Sequence, residues 1–242
     1  MGKYPSIDPD SLTREDLVRL IDFTLLEPDE TLVAYARFLK TAAEWGFGAV
    51  FVPPFYIPMA CGILSGSPVA VGTPISFPFG YSDPATKTAE ALSAIEEGAR
   101  ELEIVMNISA ACSGEWEIVE DDLSEVVDAV RSWEDSTLKG PIVVKAVLET
   151  PYLDREQKEE SGRRAVSAGV DFVKTGTGIV PGATPEDVSL LRSIVGDDVG
   201  VKAAGGISTW EDARALIAAG ACRIGTGTGP ELVEGFLRET GT

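Results

Sequence analysis

Four segments of this chain repeat one pattern, in which a helix-like stretch ends on a glycine and an apolar run begins a few residues later. They are Glu44-Trp45-Gly46-Phe47-Gly48-Ala49-Val50, Glu97-Gly98-Ala99-Arg100-Glu101-Leu102-Glu103, Ala168-Gly169-Val170-Asp171-Phe172-Val173-Lys174 and Ala219-Gly220-Ala221-Cys222-Arg223-Ile224-Gly225. Each reads as a helix end, a glycine cap, a tight turn and a strand start. Helix-like stretches run through Thr31 to Trp45, Pro84 to Gly98, Asp154 to Ala168, Pro185 to Val195 and Thr209 to Ala219. Strand and helix therefore alternate, the pattern of an α/β fold. Apolar runs place eight strands at about 20–25, 48–52, 69–76, 101–107, 141–148, 170–175, 199–204 and 221–226, with seven helical segments between them. That count predicts a (β/α)8 TIM barrel. A doubly wound open sheet is the architectural rival, but it would carry a glycine fingerprint after its first strand, and Ile21-Asp22-Phe23-Thr24-Leu25-Leu26 has none. One domain over residues 1–242 is expected.

Composition narrows the function. Thirty-nine acidic against twenty basic side chains give a formal charge of −19, which repels nucleic acid and anionic membranes. The acids are dispersed through amphipathic segments such as Glu115 to Asp128 and Glu156 to Glu160, so they read as a solvated surface, one that a salt-rich cytoplasm would also favour. No window reaches the roughly 18 apolar residues of a membrane span, and the N-terminal ten residues lack the apolar core of a signal peptide. A cytoplasmic location is expected. Cys61, Cys112 and Cys222 are few, odd in number and far apart, which supports neither a disulfide framework nor a zinc ribbon. Histidine is absent altogether. That excludes a histidine-activated serine or cysteine nucleophile and a histidine-ligated metal, and leaves acid–base work to Lys, Asp, Glu, Tyr or water.

Lys174 closes the apolar run Phe172-Val173-Lys174 where the chain turns into Thr175-Gly176-Thr177-Gly178, and 28 residues later Val199-Gly200-Val201-Lys202-Ala203-Ala204-Gly205-Gly206 repeats the arrangement. The spacing suits one strand–helix–strand unit and sets the two lysines side by side. Two ammonium groups about 6 Å apart at an effective dielectric near 20 repel by roughly 3 kcal/mol, or about two pKa units. One of the pair should lose its proton easily, and a neutral lysine is the amine that forms a Schiff base with a carbonyl. Lys202 is open to a second reading, as a structural lysine tied to a carboxylate across the barrel. Lys145 is expected to be an inward ion-pair partner of Glu103, Glu149 or Asp22 rather than a nucleophile.

Six motifs carry a family resemblance: Asp22-Phe23-Thr24-Leu25-Leu26, Glu103-Ile104-Val105-Met106-Asn107, Val144-Lys145-Ala146-Val147-Leu148-Glu149-Thr150, Lys174-Thr175-Gly176-Thr177-Gly178, Val201-Lys202-Ala203-Ala204-Gly205-Gly206-Ile207 and Arg223-Ile224-Gly225-Thr226. Together they resemble the deoxyribose-phosphate aldolase family of class I aldolases over nearly the whole length. The resemblance implies that Lys174 is the Schiff-base lysine, that Lys202 lowers its pKa and relays protons, and that Glu103 is the acidic relay. It further implies substrate contacts from Asp22, Thr24, Lys145 and Gly178, a small aldehyde or sugar substrate, a role in carbohydrate catabolism and assembly as a homo-oligomer. No cofactor or metal is expected, because the protonated iminium is itself the electron sink.

The chain departs from the family pattern at several places. Glu103 stands where the family has aspartate, and the extra methylene moves the proton-transfer point; about 1 Å of displacement can cost on the order of 10²-fold in rate. Phe23 replaces a histidine or another polar residue, Glu27 replaces a lysine of many members, and Phe51 and Pro53 occupy a strand end that usually bears Cys and Asn. Gly205, Gly206, Gly225, Thr226, Gly227 and Thr228 keep the glycine-rich form that captures phosphate with backbone N–H groups. The family's cations there are replaced by Ile179 and Ser208, which weakens anion capture unless Arg223 turns inward. Two rivals accompany the aldolase reading: another lysine Schiff-base lyase or condensing enzyme of specialised metabolism with a non-phosphorylated substrate, and a non-catalytic metabolite-binding barrel.

Overall fold

The computed structural model describes residues 2–137, 139–180 and 182–241. Eight parallel strands close into a barrel in chain order: β1 (Ile21–Thr24), β2 (Ala49–Phe51), β3 (Ala70–Ile75), β4 (Glu101–Val105), β5 (Val143–Val147), β6 (Phe172–Lys174), β7 (Gly200–Ala204) and β8 (Arg223–Thr226), with β8 pairing back to β1. The barrel predicted from the sequence is therefore the fold. Each strand is shorter than its apolar run, because residues such as Val52, Met106 and Leu148, buried at the strand ends, keep one N–H bond to the next strand but lie past the last paired residues.

Among the described residues the helices are α1 (Arg14–Leu20), α2 (Leu32–Trp45), α3 (Ile57–Ile63), α4 (Pro84–Glu97), α5 (Ile108–Ser113), α6 (Trp116–Thr137), α7 (Arg155–Ser167), α8 (Pro185–Val195), α9 (Trp210–Ala218) and α10 (Gly229–Thr240). Every gap between consecutive strands holds at least one. The helices α1, α5 and α10 go beyond the seven expected segments. α1 had a legible start, since Thr13 and Asp16 form a reciprocal capping box just before Leu17 and Val18. The glycine-capped ends are as expected: α2 stops at Gly46 with φ 73° and α4 at Gly98 with φ 119°, backbone angles that an L side chain resists.

Strand residues alternate between two environments. Outward positions such as Phe23, Val50, Leu102, Ile104, Val173 and Ile224 join the apolar shell under the helices. Phe23 stacks on Phe38 of α2 with ring centroids 4.2 Å apart. The alternate positions carry charge and aromatic rings: Asp22, Glu101, Glu103, Lys145, Lys202 and Arg223 join in ion pairs, and the Phe51 ring lies 4.0 Å from the Lys202 ammonium and 4.7 Å from that of Lys145. Gly72 on β3 makes room for Phe51, since a Cβ there would stand 2.6 Å from its ring. The sequence of inward residues thus builds a polar column inside an apolar shell.

Candidate active site

At the C-terminal ends of the strands lies a chamber of about 470 Å³. Lys174, the last residue of β6, lies at its floor with 2% of its surface exposed. Strand register sets it beside Lys202 on β7, as the 28-residue spacing predicts. Lys202 is also tied to carboxylates across the barrel, the second reading of its sequence, and one of these stands between the two lysines. Glu103 on β4 places Oε2 at 2.7 Å from Lys174 Nζ and Oε1 at 2.5 Å from Lys202 Nζ. An opposite charge at contact distance offsets most of the lysine–lysine repulsion. The same three groups that were expected to do the chemistry are joined in one hydrogen-bonded bridge.

The bridge continues down the barrel. Lys202 Nζ also meets Asp22 Oδ2 at 2.6 Å, Lys145 Nζ meets Asp22 at 2.5 Å and Glu101 at 2.6 Å, and Arg223 meets Asp22 and Glu101. Four basic groups, Lys145, Lys174, Lys202 and Arg223, share three carboxylates, Asp22, Glu101 and Glu103. Full ionisation leaves one positive charge in excess in a buried place, so shedding one proton balances the set. Lys202 is the member pushed down: burial, joined by the nearby ammonium groups of Lys145 and Lys174, outweighs its two carboxylate partners and brings it down to about 8. Lys145, also fully buried, is instead raised, because Asp22 and Glu101 outweigh its desolvation.

The carboxylates move the other way. Burial alone would raise Glu103, but the ammonium groups of Lys174, Lys202 and Lys145 bring it down to about 2. Asp22 is held well below the usual carboxylate range by Arg223, Lys145 and Lys202, against the same desolvation. A carboxyl that titrates lower in the folded chain contributes stability that is complete above its unfolded value and lost as pH falls toward its folded value. For Glu103 that window runs from 4.5 down to about 2. The expected outcome is a urea midpoint that drops steeply across this window, with a shallower dependence in Glu103→Gln. Equal pH slopes for the two proteins would show that the cluster does not carry the acid sensitivity.

The chamber wall collects most of the residues singled out in the sequence. Thr24, Gly178, Gly205, Gly206, Gly225, Thr226, Gly227 and Thr228 all line it. Asp22 and Lys145 do not: both are 0% exposed and lie among their ion-pair partners, where they hold Lys202 and the column beneath. Lys145 pairs with Asp22, as the sequence suggests, and with Glu101, which the sequence does not single out. The Thr24 hydroxyl donates to the Asp22 carbonyl at 3.0 Å and keeps lone pairs for a ligand hydroxyl. That of Thr226 donates to the Ile207 carbonyl, so it ties the β7 and β8 loops together. Gly225 serves as close-approach space, since a Cβ would lie 2.9 Å from Lys202 Cε.

Several departures acquire a place. Phe23 faces the helix layer rather than the chamber, so its replacement of a polar residue leaves the chamber untouched. Phe51 lies under the two buried lysines. Arg223 does not turn toward the glycine loops: it is the first residue of β8, bonded to Glu101 and to the carbonyl of Arg19 in α1, at the opposite end of the barrel. Lys174 is then the one cation in the described chamber wall.

The sequence offers Glu149 only as a partner for Lys145, and the structure gives it other work. It is buried in the left-handed region at φ 55°, ψ 57°, and its Oε2 accepts the Thr177 N–H at 2.8 Å. A non-glycine residue in that region is strained, and here the strain turns the carboxylate onto the loop that follows Lys174. No sequence signal marks this, because it depends on the backbone conformation of Glu149 and the direction of its side chain rather than on spacing.

The sequence model of the DeoC/LacD family aldolases matches residues 30–231. The chain is 43% identical over 225 residues to the deoxyribose-phosphate aldolase of Caldanaerobacter subterraneus subsp. tengcongensis, covering 93% of this chain and 95% of that one. It is 44% identical over 226 residues to the enzyme of the same name from Methanothermobacter thermautotrophicus, covering 93% and 96%. Among solved structures, deoxyribose phosphate aldolase from Aeropyrum pernix, described as a unique tetramer, superposes with a TM-score of 0.85 at 32% identity, over 96% of this chain and 98% of that one.

Proposed function

The chain belongs to the DeoC/LacD family of aldolases, as a carbon–carbon lyase of the deoxyribose-phosphate aldolase type, and from that premise we propose that it works through an imine on Lys174. The observation that carries this reading is the bridge: the one amine in the described chamber wall is joined through the two oxygens of Glu103 to a second lysine brought down to about 8. Lys202 gives up the surplus proton of the cluster. Glu103 then passes the Lys174 proton across to Lys202, and the freed amine attacks the carbonyl carbon. The carbinolamine loses water to become a protonated iminium. In the cleaving direction the β-hydroxyl gives its proton through an ordered water to the Glu103 carboxylate, the iminium nitrogen receives the electron pair of the breaking carbon–carbon bond, and an aldehyde departs. The remaining enamine is protonated at carbon and the imine is hydrolysed, which restores Lys174. Thr24 accepts a substrate hydroxyl at the chamber wall. Partnership with further copies of the chain, supported by the tetrameric Aeropyrum pernix relative, and a cytoplasmic location belong to the same proposal.

The substrate is a small hydroxy-aldehyde or sugar, and the wall chemistry bears on its charge. The loops at Gly205–Gly206 and at Gly227, with the N-terminus of α10 behind them, offer neutral N–H donors to an anion. Ile179 and Ser208 add no charge. Neutral donors alone favour a phosphate less than donors assisted by cations. Deoxyribose 5-phosphate and free deoxyribose are therefore expected to differ in kcat/KM by less than about 10²-fold, since one lost charge-assisted contact amounts to roughly 1.5–3 kcal/mol. The same substrates, reduced with borohydride during turnover and mapped by mass, test the imine. An adduct confined to another lysine would overturn the assignment, and a phosphate preference of about 10⁴ or more would overturn the charge argument.

A further inference from the structure

We propose that a second cavity beside the reaction chamber binds an uncharged apolar group, aryl or branched alkyl, carried by the aldehyde that meets the Lys174 enamine. The proposal rests on the aldolase reading above. The cavity measures about 450 Å³ and shares Leu26, Glu27, Pro28 and Phe77 with the chamber, so the two spaces adjoin. It opens on the side of the β1, β2 and β3 loops, away from the glycine loops after β7 and β8. A substrate reaching Lys174 therefore has two directions for its tail, one toward backbone N–H groups and one toward this annex.

The chemistry of the annex is set by its wall. Tyr35 and Tyr56 stack with centroids 3.7 Å apart, and Phe55 meets Tyr56 edge-on at 5.3 Å. Tyr35 is 1% exposed and so locked in place, which makes the aromatic face preformed. Pro53, at the strand end where the sequence departs from its family, adds a rigid apolar side. The charged residues of this wall are Glu27, Glu30 and Glu90. Two of these are turned onto backbone N–H groups, Glu27 onto Leu26 and Glu90 onto Ser76. An anionic tail meets only like charge here, whereas a flat neutral group meets ring faces and loses water. Phe55 is 81% exposed, an unfilled aromatic surface that such a tail would cover.

The test is acetaldehyde addition to two acceptors, 3-phenylpropanal and glyceraldehyde, by the parent protein, Phe55→Ala and Tyr56→Ala. Phe55 is too exposed for its truncation to unfold the chain, so that variant remains informative if Tyr56→Ala fails to fold. The expected result is a fall of about tenfold in kcat/KM for 3-phenylpropanal, carried by KM, with the glyceraldehyde reaction held within about twofold. Calorimetric binding of 3-phenylpropan-1-ol, which cannot form an imine, should weaken in parallel. Equal losses for both acceptors, or no loss for either, would overturn the annex. Failure of every aldehyde to leave a borohydride adduct on Lys174 would defeat the aldolase reading instead, and the alcohol titration would still decide whether the cavity binds.

Discussion

Lys174→Leu is expected to lower kcat/KM by at least about 10⁴-fold and to remove the borohydride-fixed adduct altogether. The size follows from what remains in the barrel. Lys145 and Lys202 are both 0% exposed, and each is held by two carboxylates, so neither amine reaches a carbonyl in the chamber. Loss of Lys174 also brings the cluster from four bases and three acids to three and three, so the surplus positive charge that drives proton release disappears with the nucleophile. Glu103 keeps its contact with Lys202, and the variant should fold. Mass mapping after incubation with acetaldehyde and borohydride checks the assignment: a persistent adduct elsewhere on the chain would mean that another lysine is the nucleophile.

The fold was legible because the barrel is written locally. Glycines at Gly46 and Gly98 stop helices that Thr31 and Asp83 cap at their N-termini, and apolar runs follow within a few residues. The lysine pair was legible for the same reason, since one strand–helix–strand unit of 28 residues decides their register. What stayed hidden depends on contacts across the barrel. Glu103 sits 71 residues from Lys174 and 99 from Lys202, and no spacing rule announces that its two oxygens divide between them. The burial of Asp22 depends on Lys145, 123 residues away. Side-chain direction was a second blind spot. Phe23 lies one residue from Asp22, and pleating alone sends it to the helix layer, so a change of residue type there reads as a change in the pocket only while the face is unknown. Arg223 shows the converse: its position at the start of β8 rather than the end places it far from the glycine loops, although its motif lies next to them in sequence.

Lys202 separates two kinds of influence that a charge count alone merges. If it acts only as a fixed positive charge, Lys202→Arg should retain activity, whereas Lys202→Leu should lose it. The bridge implies more. Its pKa, brought down to about 8 by burial, lets it release the surplus proton and then take the one that Glu103 relays from Lys174. Arginine keeps its proton across the whole accessible range and cannot take part. Both substitutions are therefore expected to lower kcat by about 10²–10⁴-fold near pH 7, the usual range for loss of a proton-transfer group. They should differ in pH response. In Lys202→Leu the cluster has three bases and three acids and no surplus proton to shed, so the deficit in imine formation should shrink as pH rises. In the parent protein the rate should climb through a pH near 8, where Lys202 titrates. Single-turnover imine formation measured against pH distinguishes these outcomes. An arginine variant with parental rates would reduce Lys202 to a charge, and a pH-independent loss in the leucine variant would reduce it to a structural strut between Asp22 and Glu103.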